Sequence, residues 1–217
     1  MRNGKAADTG VSLNGNLLEF VDIFCYLGSM VDSTGGTEAD IKARIGKART
    51  AFTQLKKIWR SSVISRKTKM RLFNALIMTV LLYGCQTWKT TKGTIKKVQT
   101  FVNKCLRTIL KIKWYDRVSN EELWERAGHT PMQQQIAKRK WRWIGHTLRK
   151  PGKCIARQAL RWNPQGTRSR KRPRETWRRC VEREMEQRGL TWGELATTAQ
   201  DRRKWRLLVC DLSSALE

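Results

Sequence analysis

Positive charge constrains this chain more than any other feature. The 217 residues carry 45 Lys and Arg against 18 Asp and Glu, a net charge of +27. The excess is uneven. Residues 1–40 hold two basic and six acidic residues, net −4, so residues 41–217 carry net +31. A compact state with that charge repels itself unless something anionic shares its surface. The density peaks between residues 138 and 183, with 17 basic and two acidic side chains. A face that is merely solvated accounts poorly for such a run, because repulsion within it has little local compensation. Nucleic acid is the polyanion that fits best. An anionic membrane fits less well: there is no lipidation signal, no Lys-rich amphipathic anchor and no transmembrane segment.

A chain of this length can bury roughly 70% of its unfolded surface, so a core forms without disulfide staples. Hydrophobic residues at 40% and ten Trp point to folded structure rather than disorder. The six cysteines, at 25, 85, 105, 154, 180 and 210, contain no C-x-x-C pair, and residues 1–12 (MRNGKAADTGVS) have no apolar stretch of the secretory kind. Together these predict an intracellular protein, nuclear or cytoplasmic, with reduced thiols. Cys85 and Cys105 fall on apolar helical positions and are expected in the core. His129 and His146 have no Cys partner at finger spacing, which argues against a structural zinc.

Residues 10–31 read as strands. Asn14-Gly15 between apolar flanks is a hairpin signal, because a type I′ turn needs φ > 0 at both central positions. Phe24, Tyr26 and Leu27 suit a further short strand bent at Gly28. From Thr37 the period becomes helical. Thr37 is the expected cap, and Ile41, Ile45, Ala48, Phe52, Leu55 and Trp59 form one apolar face. Ser65 is placed to cap a second helix, apolar nearly all round after Arg71, running to Leu81 with Gly84 as its stop; this is the expected central core helix. A third helix spans about 94–111. Ser119 with Glu122, and Thr130-Pro131 with Gln133, start the next two. Residues 163–173 (NPQGTRSRKRP) form a basic linker. Two more helices are expected, from Arg174 to Arg188 and from Trp192 to about Cys210, the last capped by Thr191 with Glu194.

Phosphate loops, H-E-x-x-H and G-x-S-x-G are missing from the sequence. Two-metal phosphoryl transfer needs clustered carboxylates. Asp32, Asp40, Asp116 and Asp201 are separated and sit where solvated turns and caps are expected. No catalytic residue is therefore assigned. The stretch KRKWRWIGHTLRK, residues 138–150, is more informative. On a helix from Pro131, Met132, Ile136, Trp143 and Leu148 share one side, so Trp143 and Ile144 are expected in the core. Trp141 lies about 160° from Trp143, at about 100° per residue. It is either a second packing face or a stacking platform for a base. Lys138, Arg139, Lys140, Arg142, His146, Arg149 and Lys150 are expected to project around these anchors and contact phosphate. Arg168, Arg170, Lys171, Arg172 and Arg174 of the linker would order on the polyanion, with Arg178 and Arg179 beyond them. A nuclear localisation signal is a rival reading of RKRPR.

The segments FCYLGSMV, LLYGCQTW, RKWRWIGHTLRK, RPRETWRR and AQDRRKWR follow one another in this order. In order and spacing they resemble the C-terminal part of LINE-type (non-long-terminal-repeat) endonuclease–reverse transcriptases, from about Leu13 to Leu208. The resemblance implies an end-of-palm β section over 1–36, a thumb-like helical bundle over 37–113 and a basic helical region over 114–217. It also implies a primer-grip-like turn at Tyr26, Leu27 and Gly28. The family's palm carries an aromatic-Ala-Asp-Asp turn that binds catalytic Mg²⁺, and this sequence contains no Asp-Asp pair. The family's polymerase and endonuclease activities therefore attach to no residue here, and no cofactor is expected in this chain. The expectation is a mainly α chain with a small N-terminal β-hairpin section, encoded alone as a truncated copy or partial gene model, inactive by itself and binding RNA and DNA. Its other expected contacts are the missing palm or a second copy, through exposed apolar surface. A thumb supplied in trans, a structural RNA-binding protein of ribosomal type and a relic without selected function are the alternatives.

Overall fold

The computed structural model describes residues 12–33, 35–160 and 176–214. The chain is mainly α-helical, with a small N-terminal β-hairpin section. The strands are two antiparallel pairs. In the first, β1 (Ser12–Leu13) and β2 (Asn16–Leu17) turn at Asn14 and Gly15, whose φ angles are 50° and 82°. In the second, β3 (Ile23–Tyr26) and β4 (Ser29–Asp32) turn at Leu27 and Gly28, with φ of 48° and 79°. Both are two-residue turns with positive φ at both central positions, the geometry that matches strand twist.

The helices divide around two cores. The first is built from α1 (Glu38–Gln54), α2 (Lys56–Arg60), α3 (Arg66–Leu72), α4 (Thr79–Leu81), α5 (Lys92–Leu110) and α6 (Asn120–Ala127). Between α3 and α4 the backbone widens into a π-helical stretch, Phe73–Met78, so the expected second helix is continuous to Leu81. Phe73, Ile77, Met78 and Leu81 along it are buried, which makes it the central helix. Cys85 and Cys105 lie in the same core, and burial pushes both thiols up to about 12. His129 packs on Phe73, ring centroids 6.2 Å apart, and burial lowers its pKa.

The second core joins α7 (Met132–Leu148), α8 (Ile155–Ala159), α9 (Trp177–Glu186), α10 (Trp192–Thr198) and α11 (Arg202–Ser214). One helix, α7, serves both: Met132 and Ile136 pack in the first core, Trp141, Ile144 and Leu148 in the second. Its first free N–H is satisfied across the junction, where Met132 donates to Gln99 Oε1 of α5 at 2.7 Å.

Several sequence expectations are corrected. Thr37 makes no cap hydrogen bond; its hydroxyl donates to the Lys89 carbonyl. Asp40 is no solvated cap but a buried carboxylate. The helix expected from Trp192 to Cys210 is two, because Asp201 accepts from the amides of Arg203 and Lys204 and starts α11 afresh. Those hydrogen bonds hold the Asp201 carboxyl below its ordinary range. Among the described residues, no helix is long and apolar enough to cross a membrane.

Candidate nucleic-acid interface

The stretch 138–150 lies on α7 with a phase different from the one its apolar residues suggest. Positions 132, 136, 140, 144 and 148 repeat every four residues, and all five are buried. Lys140 therefore occupies a core position, 1% exposed. Its ammonium pairs with Glu184 of α9, whose second oxygen accepts from Trp141 Nε1 at 2.8 Å. Trp141 is fully buried, tilted against Trp205 at 6.5 Å, and cannot stack on a base. Trp143, expected in the core, is half-buried and meets Trp177 edge to face at 5.9 Å. Neither Lys140 nor Trp141 belongs to a binding surface.

Two arginines and a histidine of α7 face outward together. Arg139, Arg142 and His146 are exposed and follow an i, i+3, i+7 spacing, which places them on one side of the helix. Lys138, Arg149 and Lys150 are half-buried, and Arg149 donates to the Ala199 carbonyl at 3.1 Å. Arg178 pairs with Glu182 at 2.7 Å, and Arg179 is exposed beside it. Arg168, Arg170, Lys171, Arg172 and Arg174 lie outside the described residues.

Arg139 also lines a cleft of about 630 Å³. The β3–β4 turn lines it too, through Tyr26, Leu27 and Ser29. Thr79 of α4 and the segment after it, with Tyr83, Gln86 and Thr87, add to the lining. Tyr26 and Tyr83 are both more than half exposed. Three regions distant in sequence thus meet, and two of them were singled out from the sequence for nucleic-acid contact. Gly28 does not point its carbonyl into the cleft: that oxygen accepts from Arg44 Nη2 at 2.7 Å and Lys47 Nζ at 3.3 Å.

A buried polar knot fixes the turn. Arg44 also donates to Ser29 Oγ at 3.0 Å, and its guanidinium lies 4.4 Å from the centroid of the Tyr83 ring. Asp40, 3.7 Å from Arg44 Nε, accepts from the Met30 amide at 3.0 Å and from Trp88 Nε1 at 2.8 Å. Removing either charge leaves the other buried and uncompensated, so the knot holds the turn at one distance from the helices. On the far rim, Trp177 Nε1 donates to the Gln86 carbonyl at 2.7 Å and ties α9 to the cleft. Arg44 and Tyr83 were not anticipated. An Arg on an amphipathic helix reads as solvated, and nothing local marks Arg44 as 6% exposed. Tyr83 sits within LLYGCQTW, where only its neighbours' apolar character is legible.

Two phenol rings, a guanidinium, an amide and hydroxyls make a surface that can stack a base and pair with a phosphate. Among the described residues, no three His, Cys, Asp or Glu side chains gather as a metal site would require.

Comparisons with known proteins bear on the origin of the chain. Residues 51–83 match a domain of unknown function (DUF6451). Over 201 residues the chain is 23% identical to an uncharacterized transposon-derived protein of Caenorhabditis elegans, covering 88% of this chain and 71% of that one. No solved structure matches.

Proposed function

We propose that this chain is a nucleic-acid-binding part of a transposon-encoded protein, corresponding to the thumb and C-terminal region of a LINE-type reverse transcriptase. The observation that carries this reading is the convergence of Tyr26 and Leu27 with Arg139 in one cleft, continued by Arg142 and His146 along α7. A strand end would place a base against Tyr26 or Tyr83 and its backbone along Arg139 and Arg142 of α7. Similarity to a transposon-derived protein supports the origin. The five ordered segments that resemble LINE-type enzymes support the finer assignment. Binding, with no polymerase or nuclease chemistry of its own, is the role that suits a chain without an Asp-Asp pair.

Salt titration of single-stranded DNA and RNA binding tests it. Log affinity should fall linearly with log salt, with a slope of roughly −0.7 per neutralised phosphate. Arg139→Ala should make that slope shallower by about 0.7, the share of one phosphate contact. Tyr26→Ala should cost about 1–3 kcal/mol with little change in slope, because stacking is not a counterion effect. A flat salt dependence, or variants that bind like the parent, would refute the reading.

A further inference from the structure

The cleft leaves a second large surface unused. Between α1 and α5 runs an open apolar groove of about 1340 Å³, with Ile45, Phe52 and Phe101 among its lining. Its edges carry Lys42, Arg49, Lys96 and Lys104, while Glu38 at one end pairs with Lys97 at 3.3 Å. An occupant that fits must be apolar and acidic.

One described part of the chain has that chemistry. Residues 12–33 contain no Lys or Arg, and Glu19, Asp22 and Asp32 lie in sequence among apolar residues that are largely exposed. Leu17 is 77% exposed and Phe20 75%. Phe24 and Val31 face each other across β3 and β4 and are more than half exposed as well. Leaving this much contiguous apolar surface in water is costly, and such patches mark interaction sites.

The β3–β4 hairpin is held away from the groove of its own molecule. Asp40, Arg44 and Lys47 hold β3–β4 on one side of α1. Ile41, Ile45 and Gly46 line the groove on another, with Ile41 and Ile45 each about 100° from the neighbouring latch residue. We infer that the occupant is a second copy of this chain: the acidic, apolar N-terminal section of one molecule lies in the basic-rimmed groove between α1 and α5 of the next. The contact pairs unlike surfaces: made once, it leaves a free section and a free groove and grows chains or rings, and made reciprocally between two copies it closes a twofold dimer. Long-range repulsion between the cationic bodies is largely screened beyond about 8 Å at physiological ionic strength. The charges within the contact lie closer than that.

Sedimentation velocity of the nucleic-acid-free chain, across a wide concentration series at physiological salt, tests this. The native chain should self-associate, into dimers where the contact is reciprocal and beyond them where it is not. Arg49→Glu with Lys104→Glu should shift the association midpoint to about tenfold higher concentration, and Glu19→Lys with Asp22→Lys should do the same. All four substitutions in one chain should restore association, because the complementarity is then inverted rather than removed. The sites are exposed, and the milder Arg49→Gln with Lys104→Gln should give a smaller shift if the Glu pair fails to fold. A monomer throughout the series would overturn the inference. So would association that ignores the reversals, or a fourfold variant that stays dispersed. Loss of single-strand affinity in the groove variants without change in mass would show that the groove holds nucleic acid instead.

Discussion

Lys140 and Glu184 show how far one side chain can mislead a helical reading. A lysine at a fully buried position is tolerable only with its counter-charge in contact, and Glu184 supplies that while also accepting from Trp141 Nε1. Glu184→Ala should therefore cost about 3–5 kcal/mol of unfolding free energy, because it strands a buried ammonium and an indole N–H together. Lys140→Met combined with Glu184→Gln should recover most of that, since the amide oxygen still accepts from Trp141 and no charge is left unpaired. Urea unfolding of the single and double variants measures both. A double variant as unstable as Glu184→Ala would show that the ion pair is not the source of the cost. The same pair explains the misplaced tryptophans. A phase drawn through the apolar residues alone must skip a lysine, and skipping position 140 rotates the apparent core from Trp141 towards Trp143. The missing information is on α9, more than forty residues away, and no property of residues 138–150 encodes it.

At the scale of the element, local signals were legible where the chain answers to itself. Asn14-Gly15, Ser65 accepting from the Thr68 amide, Gly84 with φ of 74°, and the reciprocal Thr191–Glu194 box each form as their residue types dictate. Thr37 did not, because a tertiary partner at Lys89 competes for its hydroxyl. Gly145 is the sharper case. A glycine inside a helix costs up to about 1 kcal/mol relative to alanine, so helix propensity alone says that Gly145→Ala should stabilise α7. The packing says the opposite. A Cβ built at residue 145 would lie 2.1 Å from Nε1 of Trp205, which donates to the Trp141 carbonyl at 3.2 Å. The alanine would push α11 off α7, an overpacking cost of typically 1–3 kcal/mol that outweighs the propensity gain. The expected outcome is a lower denaturation midpoint and a changed near-ultraviolet signal from the tryptophans. An unchanged or raised midpoint would mean that α11 does not rest on α7 as closely as the structure shows.

Over the whole molecule, the mainly helical class and the N-terminal hairpins were legible, because period and turn chemistry are local. The cleft was not. Tyr26, Tyr83 and Arg139 are brought together only by the Asp40–Arg44 knot and the shared helix α7, and no spacing in the sequence encodes that meeting. Charge is the one global property readable in advance, and it carries its own prediction. With net +27, folding concentrates like charges that the unfolded chain keeps further apart. The Debye length falls from about 30 Å at 0.01 M salt to about 8 Å at 0.15 M, so added NaCl relieves this repulsion. It also weakens exposed pairs such as Lys97–Glu38, but these contribute at most about 1 kcal/mol each. The buried pairs at Asp40 and Glu184 are screened far less. Relief should win, and the melting temperature of the nucleic-acid-free chain should rise with NaCl over that range. A short single-stranded oligonucleotide at low salt should raise it further, because a bound polyanion neutralises the basic face directly and adds its binding free energy to the folded state. A melting temperature that falls with salt would mean that attractive pairs, not net repulsion, dominate this surface, and the case for a polyanionic partner would lose its physical premise.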